Sequence, residues 1–285
     1  MNKKIGSVRW SMVVIYCGMI VLAGSATGGL IIDEAFDAPV GGIPGDWVRV
    51  GTTADSQVIV ENVGDDDRTM LRITRRDGLL YDPSAGVSQF SDLSGSVIVN
   101  TGSAISTGSA GGALGVGVRL NQVGWGGTTA PDGEGLPGYK FVIGRQTDEA
   151  EGHPFEGNPS HISIYSASVG TGHMHDLART ERLATTFVNI DSGADYEFRF
   201  SAIGSNLSAS LWTIGAEPVQ LATVSLSDAA WTDAGYFNLT VSGTSSSSRG
   251  FFSDLQVIPE PGTASLFMVA LTVLGLVRRR MVVRG

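Results

Sequence analysis

Carboxylate and imidazole side chains are the groups of this chain whose spacing could support chemistry. Glu149 and Glu151 alternate, and on a strand both would face one side, as two carboxylates must to act on a glycosidic bond. The Gly152-His153-Pro154 that follows favours a loop instead. Because the sequence also has neither a serine nucleophile elbow nor a phosphate-cradling loop before a helix, we predict that the protein is not an enzyme.

Metal ligands are the second kind of candidate. Gly172-His173-Met174-His175-Asp176 could offer two imidazoles and a carboxylate to a transition metal, but this spacing in a glycine-rich segment favours a solvated loop. The other histidines are His153 and His161. Asp65, Asp66 and Asp67 could supply oxygen ligands to Ca²⁺, or they could cap an exposed hairpin.

Aromatic side chains are the third kind of candidate, because sugar recognition needs aromatic platforms beside polar groups. Trp125 lies between glycines at the start of a Gly/Pro-rich loop that ends next to Tyr139, and loops of this type carry binding function. We predict Trp125 and Tyr139 as ligand contacts. The pattern favours the core for Trp47, Trp212 and Trp231.

Short strands joined by turns must position these residues. Tyr196, Phe198, Phe200 and Ala202 alternate with Glu197, Arg199 and Ser201, as a half-buried antiparallel strand requires. Gly204-Ser205-Asn206 then supplies a turn before a second alternating run, which predicts a hairpin. Further strands are predicted at residues 30–37, 70–74, 94–99, 113–120, 222–226, 235–239 and 250–257. With no amphipathic helix between them, they imply an all-β, two-sheet antiparallel jelly-roll sandwich over residues 27–258.

This arrangement resembles the concanavalin A-like, laminin-G-like sandwich. The resemblance rests on the opening Glu34-Ala35-Phe36-Asp37, Trp47 after a Pro/Gly loop, the central hairpin, and a closing strand at residues 250–255 that returns beside the first. That fold class includes glycoside hydrolases. We expect the body to bind or structure extracellular polysaccharide, with a secreted glycan hydrolase or lyase on the same fold as the alternative and a purely structural role as a third.

Charge and cysteine content limit the partners. The chain has a formal net charge of -9, and residues 27–258 alone carry 12 basic and 27 acidic side chains, a net charge of -15. An acidic body repels phosphate backbones, so we expect no nucleic acid partner. The single cysteine, Cys17, lies in the N-terminal apolar run, so the body has no disulfide or thiolate.

The two ends of the chain resemble targeting signals. Lys3, Lys4 and Arg9 precede an apolar stretch from Trp10 to Ala23, and small residues follow, which predicts a signal peptide of residues 1–26. At the other end, the 14 residues from Ala264 to Val277 would form a helix of about 21 Å, short of the roughly 30 Å of a hydrocarbon core. The arginines that follow should stay cytoplasmic, which places the body across the inner membrane.

The tail, residues 259–285, resembles the PEP-CTERM sorting signal of Gram-negative bacteria. Its three parts come in the expected order: the box Pro259, Glu260 and Pro261, a hydrophobic helix with Leu274-Gly275-Leu276, and the cluster Arg278, Arg279 and Arg280. Residues after Arg280 extend beyond the usual end of this signal. The resemblance implies processing by an exosortase, a membrane-anchored precursor, and a final place at the cell surface or in the extracellular matrix, where the body would bind or structure polysaccharide.

Overall fold

Strands and the turns between them make up the described part of the molecule. The computed structural model describes residues 32–37, 39–49, 58–63, 68–74, 77–82, 89–103, 112–120, 138–145, 160–167, 181–242 and 249–259. All of them belong to a unit that spans Leu30–Glu260. These ranges contain strands and turns but no helix, and hence none long and apolar enough to cross a membrane. The predicted signal peptide and the tail from Glu260 onward lie outside them.

Fifteen strands are present in the described ranges. In chain order they are β1 (Ile32–Glu34), β2 (Trp47–Arg49), β3 (Val58–Val63), β4 (Arg68–Thr74), β5 (Asp77–Tyr81), β6 (Leu93–Asn100), β7 (Gly112–Leu120), β8 (Gly138–Arg145), β9 (Ser160–Ala167), β10 (Glu181–Phe187), β11 (Asp195–Ile203), β12 (Asn206–Thr213), β13 (Gln220–Ser227), β14 (Tyr236–Ser242) and β15 (Arg249–Pro259).

The strands form two antiparallel sheets. The eight-stranded sheet, which we call sheet A, has the order β13-β12-β11-β6-β15-β4-β3, and β1 pairs with β15 beside it. The seven-stranded sheet, sheet B, has the order β10-β9-β8-β7-β14-β5-β2. At one side the edge strands of the two sheets meet, where Oγ1 of Thr186 donates to the carbonyl of Thr223 at 2.7 Å. This architecture confirms the predicted all-β, two-sheet antiparallel sandwich.

The core lies between the sheets and is rich in aromatic rings. Trp47 packs against Phe36, Tyr81 and Phe237, with ring centroids 5.9, 5.3 and 6.3 Å apart. Phe200 of sheet A stacks on Phe237 of sheet B at 5.7 Å, so the two inner faces interlock. Trp47 is buried, as predicted.

The predicted hairpin is present. β11 and β12 pair from Tyr196↔Thr213 to Ile203↔Asn206, and the buried residues of β11 are the four that the alternation assigned to the core. The closing strand also returns beside the first, since β1 pairs with β15 from Ile32↔Val257 to Glu34↔Leu255. β15 continues to Pro259, whose missing N–H makes it a natural end for a ladder.

Several strands were missed from the sequence. β8 and β9 lie in the middle of sheet B, and almost every residue of both is buried. A strand buried on both faces loses the period of two on which the prediction depended. The short edge strands β2 and β3 were missed as well, because three to six residues carry little pattern.

Candidate functional site

The outer face of sheet A exposes a tryptophan. Leu207, Ala209 and Leu211 of β12 point into the core, so Trp212 points outward and is only half-buried. The prediction that Trp212 is a core residue is therefore wrong. Its indole N–H donates to Oγ of Ser210 at 2.9 Å, which fixes the ring along its own strand.

A charged pair holds this ring from the neighbouring strand. The guanidinium carbon of Arg199 lies 4.3 Å from the centroid of Trp212, within the range of a cation–π contact. Nε and Nη2 of Arg199 donate to the two carboxylate oxygens of Glu197, both at 2.8 Å. The hydrogen bond with Glu197 raises the pKa of Arg199 above its ordinary value, so the group stays cationic. The indole, the guanidinium and the carboxylate thus form one connected cluster, which we call the Trp212 cluster.

Hydroxyl groups lie beside Trp212 in rows that run across the strands. The register aligns Ser94, Ser201, Ser208 and Ser225 across β6, β11, β12 and β13. The next outward row consists of Ser96, Arg199, Ser210 and Thr223. Neighbouring strands lie about 4.8 Å apart, so the rows repeat a polar group at roughly that interval.

An exposed apolar residue adjoins the cluster. The pairing of β12 with β13 shifts between Leu211 and Trp212, so that Trp212 pairs with Gln220 while Leu211 pairs with Ala222. Leu221 is the extra residue of this bulge, and 38% of its surface is exposed. The face therefore combines an aromatic ring, an aliphatic side chain and hydroxyl groups, which is the chemistry that stacks on and hydrogen-bonds to a sugar.

The outer face of sheet B differs, because its polar side chains are buried. Lys140, Ser163 and Asn238 are at most 1% exposed. Oγ of Ser163 lies 2.8 Å from Nδ1 of His161 and 2.8 Å from Oγ1 of Thr185, which forms a short polar chain across β9 and β10. Burial, with a smaller contribution from Arg182, lowers the pKa of His161 from 6.5 to about 4, so the imidazole is neutral at pH 7.

A buried arginine closes one end of the sandwich. The side chain of Arg119, in β7, is fully buried and donates to the carbonyls of Gly204 and Trp231 at 2.7 and 2.9 Å, and to that of Ser91. It also pairs with Asp92 at 3.1 Å. Burial lowers the pKa of Arg119, and Asp92 opposes that shift. These contacts tie three separate chain segments to β7, and each of the three guanidinium nitrogens has a carbonyl or carboxylate partner within the protein.

Tyr139, predicted as a ligand contact, lies beside this arginine in the core. Its ring is fully buried, and its hydroxyl donates to Oδ1 of Asp228 at 2.6 Å and accepts from the backbone N–H of Trp231 at 3.1 Å. Burial, and next the bond to Asp228, raise the pKa of Tyr139 to about 12. This is the position of a structural residue, and the role of Tyr139 as a ligand contact stays a prediction. Trp231 packs partly buried against the core.

The other predicted site residues fall outside the described ranges. These are Trp125, the aspartates Asp65, Asp66 and Asp67, the glutamates Glu149 and Glu151, the histidines His153, His173 and His175, and the tail residues Glu260, Pro261, Arg278, Arg279 and Arg280. Of the sorting box only Pro259 is described, as the last residue of β15. Among the residues that the structure describes, no three His, Cys, Asp or Glu side chains lie together as a metal site would require.

Some solved structures are similar to this chain at low sequence identity. No protein-family model and no curated protein matches the sequence. The exoplasmic/lumenal domain of VIP36 in a Ca²⁺/Man-bound form is similar at 13% identity and a TM-score of 0.48, over 81% of this chain and 91% of that one. The carbohydrate-binding module CBM66 from Bacillus subtilis is similar at 14% identity and a TM-score of 0.44, over 75% and 95%.

A third similar structure is a legume lectin-like domain from Entamoeba histolytica. Its identity is 10% and its TM-score 0.40, over 76% of this chain and 91% of that one. Likenesses at such low identity concern the fold alone.

Proposed function

We propose that this chain is an exported bacterial surface or matrix protein whose body binds polysaccharide through the outer face of sheet A. The Trp212 cluster is the observation that supports the proposed binding of polysaccharide. A half-buried indole is held by Arg199 and Ser210 on the outer face of sheet A, among serine and threonine hydroxyls. A ring fixed in this way offers a sugar a platform without losing side-chain freedom on binding.

The proposed ligand contacts differ in kind. The faces of the indole and the guanidinium, with Leu221 beside them, suit the apolar C–H side of a pyranose ring. Glu197, Ser210 and Thr223 supply hydrogen-bond acceptors and donors for its hydroxyl groups. Since both oxygens of Glu197 are engaged by Arg199, this carboxylate is suited to binding and orientation, and we propose no catalytic role for it.

Binding is tested on a glycan array with the full chain in mild detergent, with and without Ca²⁺. We expect binding to polysaccharide, a change of tryptophan fluorescence on binding, and a loss of at least tenfold in affinity for Trp212→Ala. Phe187→Ala is the matched control, since it removes another exposed ring from β10 in the other sheet. Unchanged affinity of Trp212→Ala would refute the assignment of the site.

The export part of the proposal rests on the order of segments at the two ends of the sequence. A cationic, apolar and small-residue start predicts a signal peptide, and the box at residues 259–261, the apolar run and the arginines predict a sorting tail. We propose that an exosortase-type enzyme processes this tail while it is in the inner membrane. The body would then remain at the cell surface or in the matrix.

Sorting is tested in a host that carries the processing enzyme. Replacing Pro259, Glu260 and Pro261 with alanine should stop maturation, which intact-mass measurement of the cell-associated protein would detect. Alanines at Ser245, Ser246 and Ser247 are the matched control, because they change three nearby residues outside the box. A box variant that loses the same C-terminal segment as the wild type, after allowance for the mass of the three substitutions, would disprove the processing step.

A further inference from the structure

We infer that the ligand of the Trp212 cluster is a neutral, extended polysaccharide chain that lies across the strands of sheet A. This inference rests on the proposed glycan binding and names its substrate class and its direction. It draws on three observations: the charge of the face, the alignment of the hydroxyl rows, and the place of Trp212 next to those rows.

The charge of the face is balanced within the face itself. The sequences of β6, β12 and β13 contain no charged residue, and β11 contains Asp195, Glu197 and Arg199. Glu197 pairs with Arg199, and Asp195 pairs with Arg68 at 2.7 Å. A binding face for a polyanion would need cationic groups in excess, as phosphate and carboxylate recognition does.

The rest of the body strengthens this argument. Residues 27–258 carry a net charge of -15, so their field repels an acidic polymer as it approaches. A neutral chain experiences no such repulsion. The balanced face on an acidic body therefore favours neutral sugars over uronic acid or sulfated sugars.

The rows determine the direction of the chain. The row of Ser94, Ser201, Ser208 and Ser225 crosses three strand intervals, or about 14 Å. An extended chain of pyranose rings advances by a similar interval per ring, so a chain that runs across the strands meets an equivalent hydroxyl at each ring. A chain that runs along the strands would meet outward side chains at every second residue, about 6.8 Å apart, and would lose this match.

Trp212 lies at one side of these rows and not at their end. Arg199 belongs to the row next to the serines, and Trp212 pairs with Glu197 one row farther along the strands. A chain lying on the two hydroxyl rows thus has Trp212 and Leu221 along its flank, where one ring can stack. Contacts repeated along the chain, and not a single end-group pocket, would supply the affinity.

Isothermal titration calorimetry of the full chain in mild detergent tests both parts. The probes are neutral oligosaccharides (cello-, xylo- and β-1,3-gluco-oligosaccharides, disaccharide to hexasaccharide) and oligogalacturonides of the same lengths. We expect the affinity for at least one neutral series to rise at least tenfold from disaccharide to tetrasaccharide and to change little from about 0.05 to about 0.5 M salt. The acidic series should bind at least tenfold more weakly than the neutral series at low salt. Its affinity should be higher at high salt than at low salt.

The outcomes separate this inference from the proposed function. Tighter binding of the acidic series, with affinity that falls as salt rises, would overturn the neutral class. A disaccharide that binds as tightly as a hexasaccharide would overturn the extended chain. If no oligosaccharide of any series binds, the proposed glycan binding itself fails.

A substitution in the middle of the serine row tests the direction of the chain. Ser208→Glu places a longer, charged side chain next to Ser201 and Ser225 and should weaken hexasaccharide binding at least tenfold while affecting the disaccharide less. Thr232→Glu, at an exposed loop position outside β6, β11, β12 and β13, is the matched control. Thermal unfolding of both variants verifies that they are folded, and equal hexasaccharide affinity in the two would contradict a chain that crosses β12.

Discussion

The outer faces of the two sheets differ in their exposure to solvent. On sheet A, β11 and β12 alternate between buried and half-buried residues, so every second side chain meets solvent. On sheet B, β8 is buried at seven consecutive positions. A polar group on the outer face of sheet A is therefore accessible to water and to a ligand. A buried polar group of sheet B needs a hydrogen-bond partner inside the protein.

The consequence is a difference in what each polar residue does. Arg119 of sheet B and Arg199 of sheet A are both paired with carboxylates, yet the first is fully buried and the second is 43% exposed. Removing the first leaves buried carbonyls without donors, while removing the second leaves groups that water can reach. The same residue type is structural on one sheet and available for binding on the other.

The largest expected effect follows from that pair of arginines. Arg119→Met should lower the free energy of unfolding by about 3 to 5 kcal/mol, because Asp92 and three carbonyls lose a buried donor. Arg199→Met is the matched control and should cost about 1 kcal/mol or less. Urea denaturation of both variants measures the difference, and similar losses would contradict the contrast between the faces.

A pH dependence should follow from His161 on the buried side. Its pKa is about 4 in the folded protein and 6.5 in the unfolded chain, so the unfolded state binds the extra proton between these values. The contribution of His161 to the free energy of unfolding is therefore fully present above pH 6.5. It falls by about 3 kcal/mol as the pH drops to about 4. Denaturation curves of wild type and His161→Gln, measured from pH 7 to pH 4, should diverge by this amount, and parallel curves would rule out the buried neutral imidazole.

A smaller effect is expected from added volume. A Cβ at Gly117 of β7 would overlap Oδ1 of Asn238, so Gly117→Ala should destabilise the protein by about 1 to 3 kcal/mol. Ser208→Ala, in a central strand of sheet A, should stay within about 0.5 kcal/mol of wild type. Thermal unfolding compares the two variants. An unchanged stability of Gly117→Ala would show that the outer face of sheet B can accommodate an added methyl group.

The smallest expected effect concerns the preassembly of the Trp212 cluster. A double-mutant cycle of Arg199→Met and Trp212→Leu should give a coupling energy of about 0.5 to 1 kcal/mol, as expected for a partly exposed cation–π pair. The measurement is urea denaturation of the four proteins. A coupling energy of zero would mean that the two side chains are placed independently.

The sequence predicted most clearly the strands that have one exposed face and one buried face. β11 and β12 were found with their turn because Tyr196, Phe198 and Phe200 alternate with polar residues. β8 and β9 are covered on both sides, carry no alternation and were missed, although β7, which is just as buried, was predicted. Pairing between distant strands, such as β15 with β6, depends on tertiary packing that no local pattern encodes.

The candidate site was harder to predict, although one signal was present. The period of two that assigned Leu207, Ala209 and Leu211 of β12 to the core also assigns Trp212 to the outside. Residue type outweighed that signal, because tryptophan usually favours the interior. The hydroxyl rows could not be predicted at all, since they depend on the register between four strands, and the outer two, β6 and β13, are far apart in the chain.

The place of β15 determines when the body can finish folding. β15 pairs with β6 on one side and with β4 and β1 on the other, so it alone joins the two halves of sheet A. Every other strand of the body is synthesised before it. The emerging chain must therefore keep an incomplete sheet from aggregating until residues 249–259 have been made, and completion of the fold is a late, long-range step.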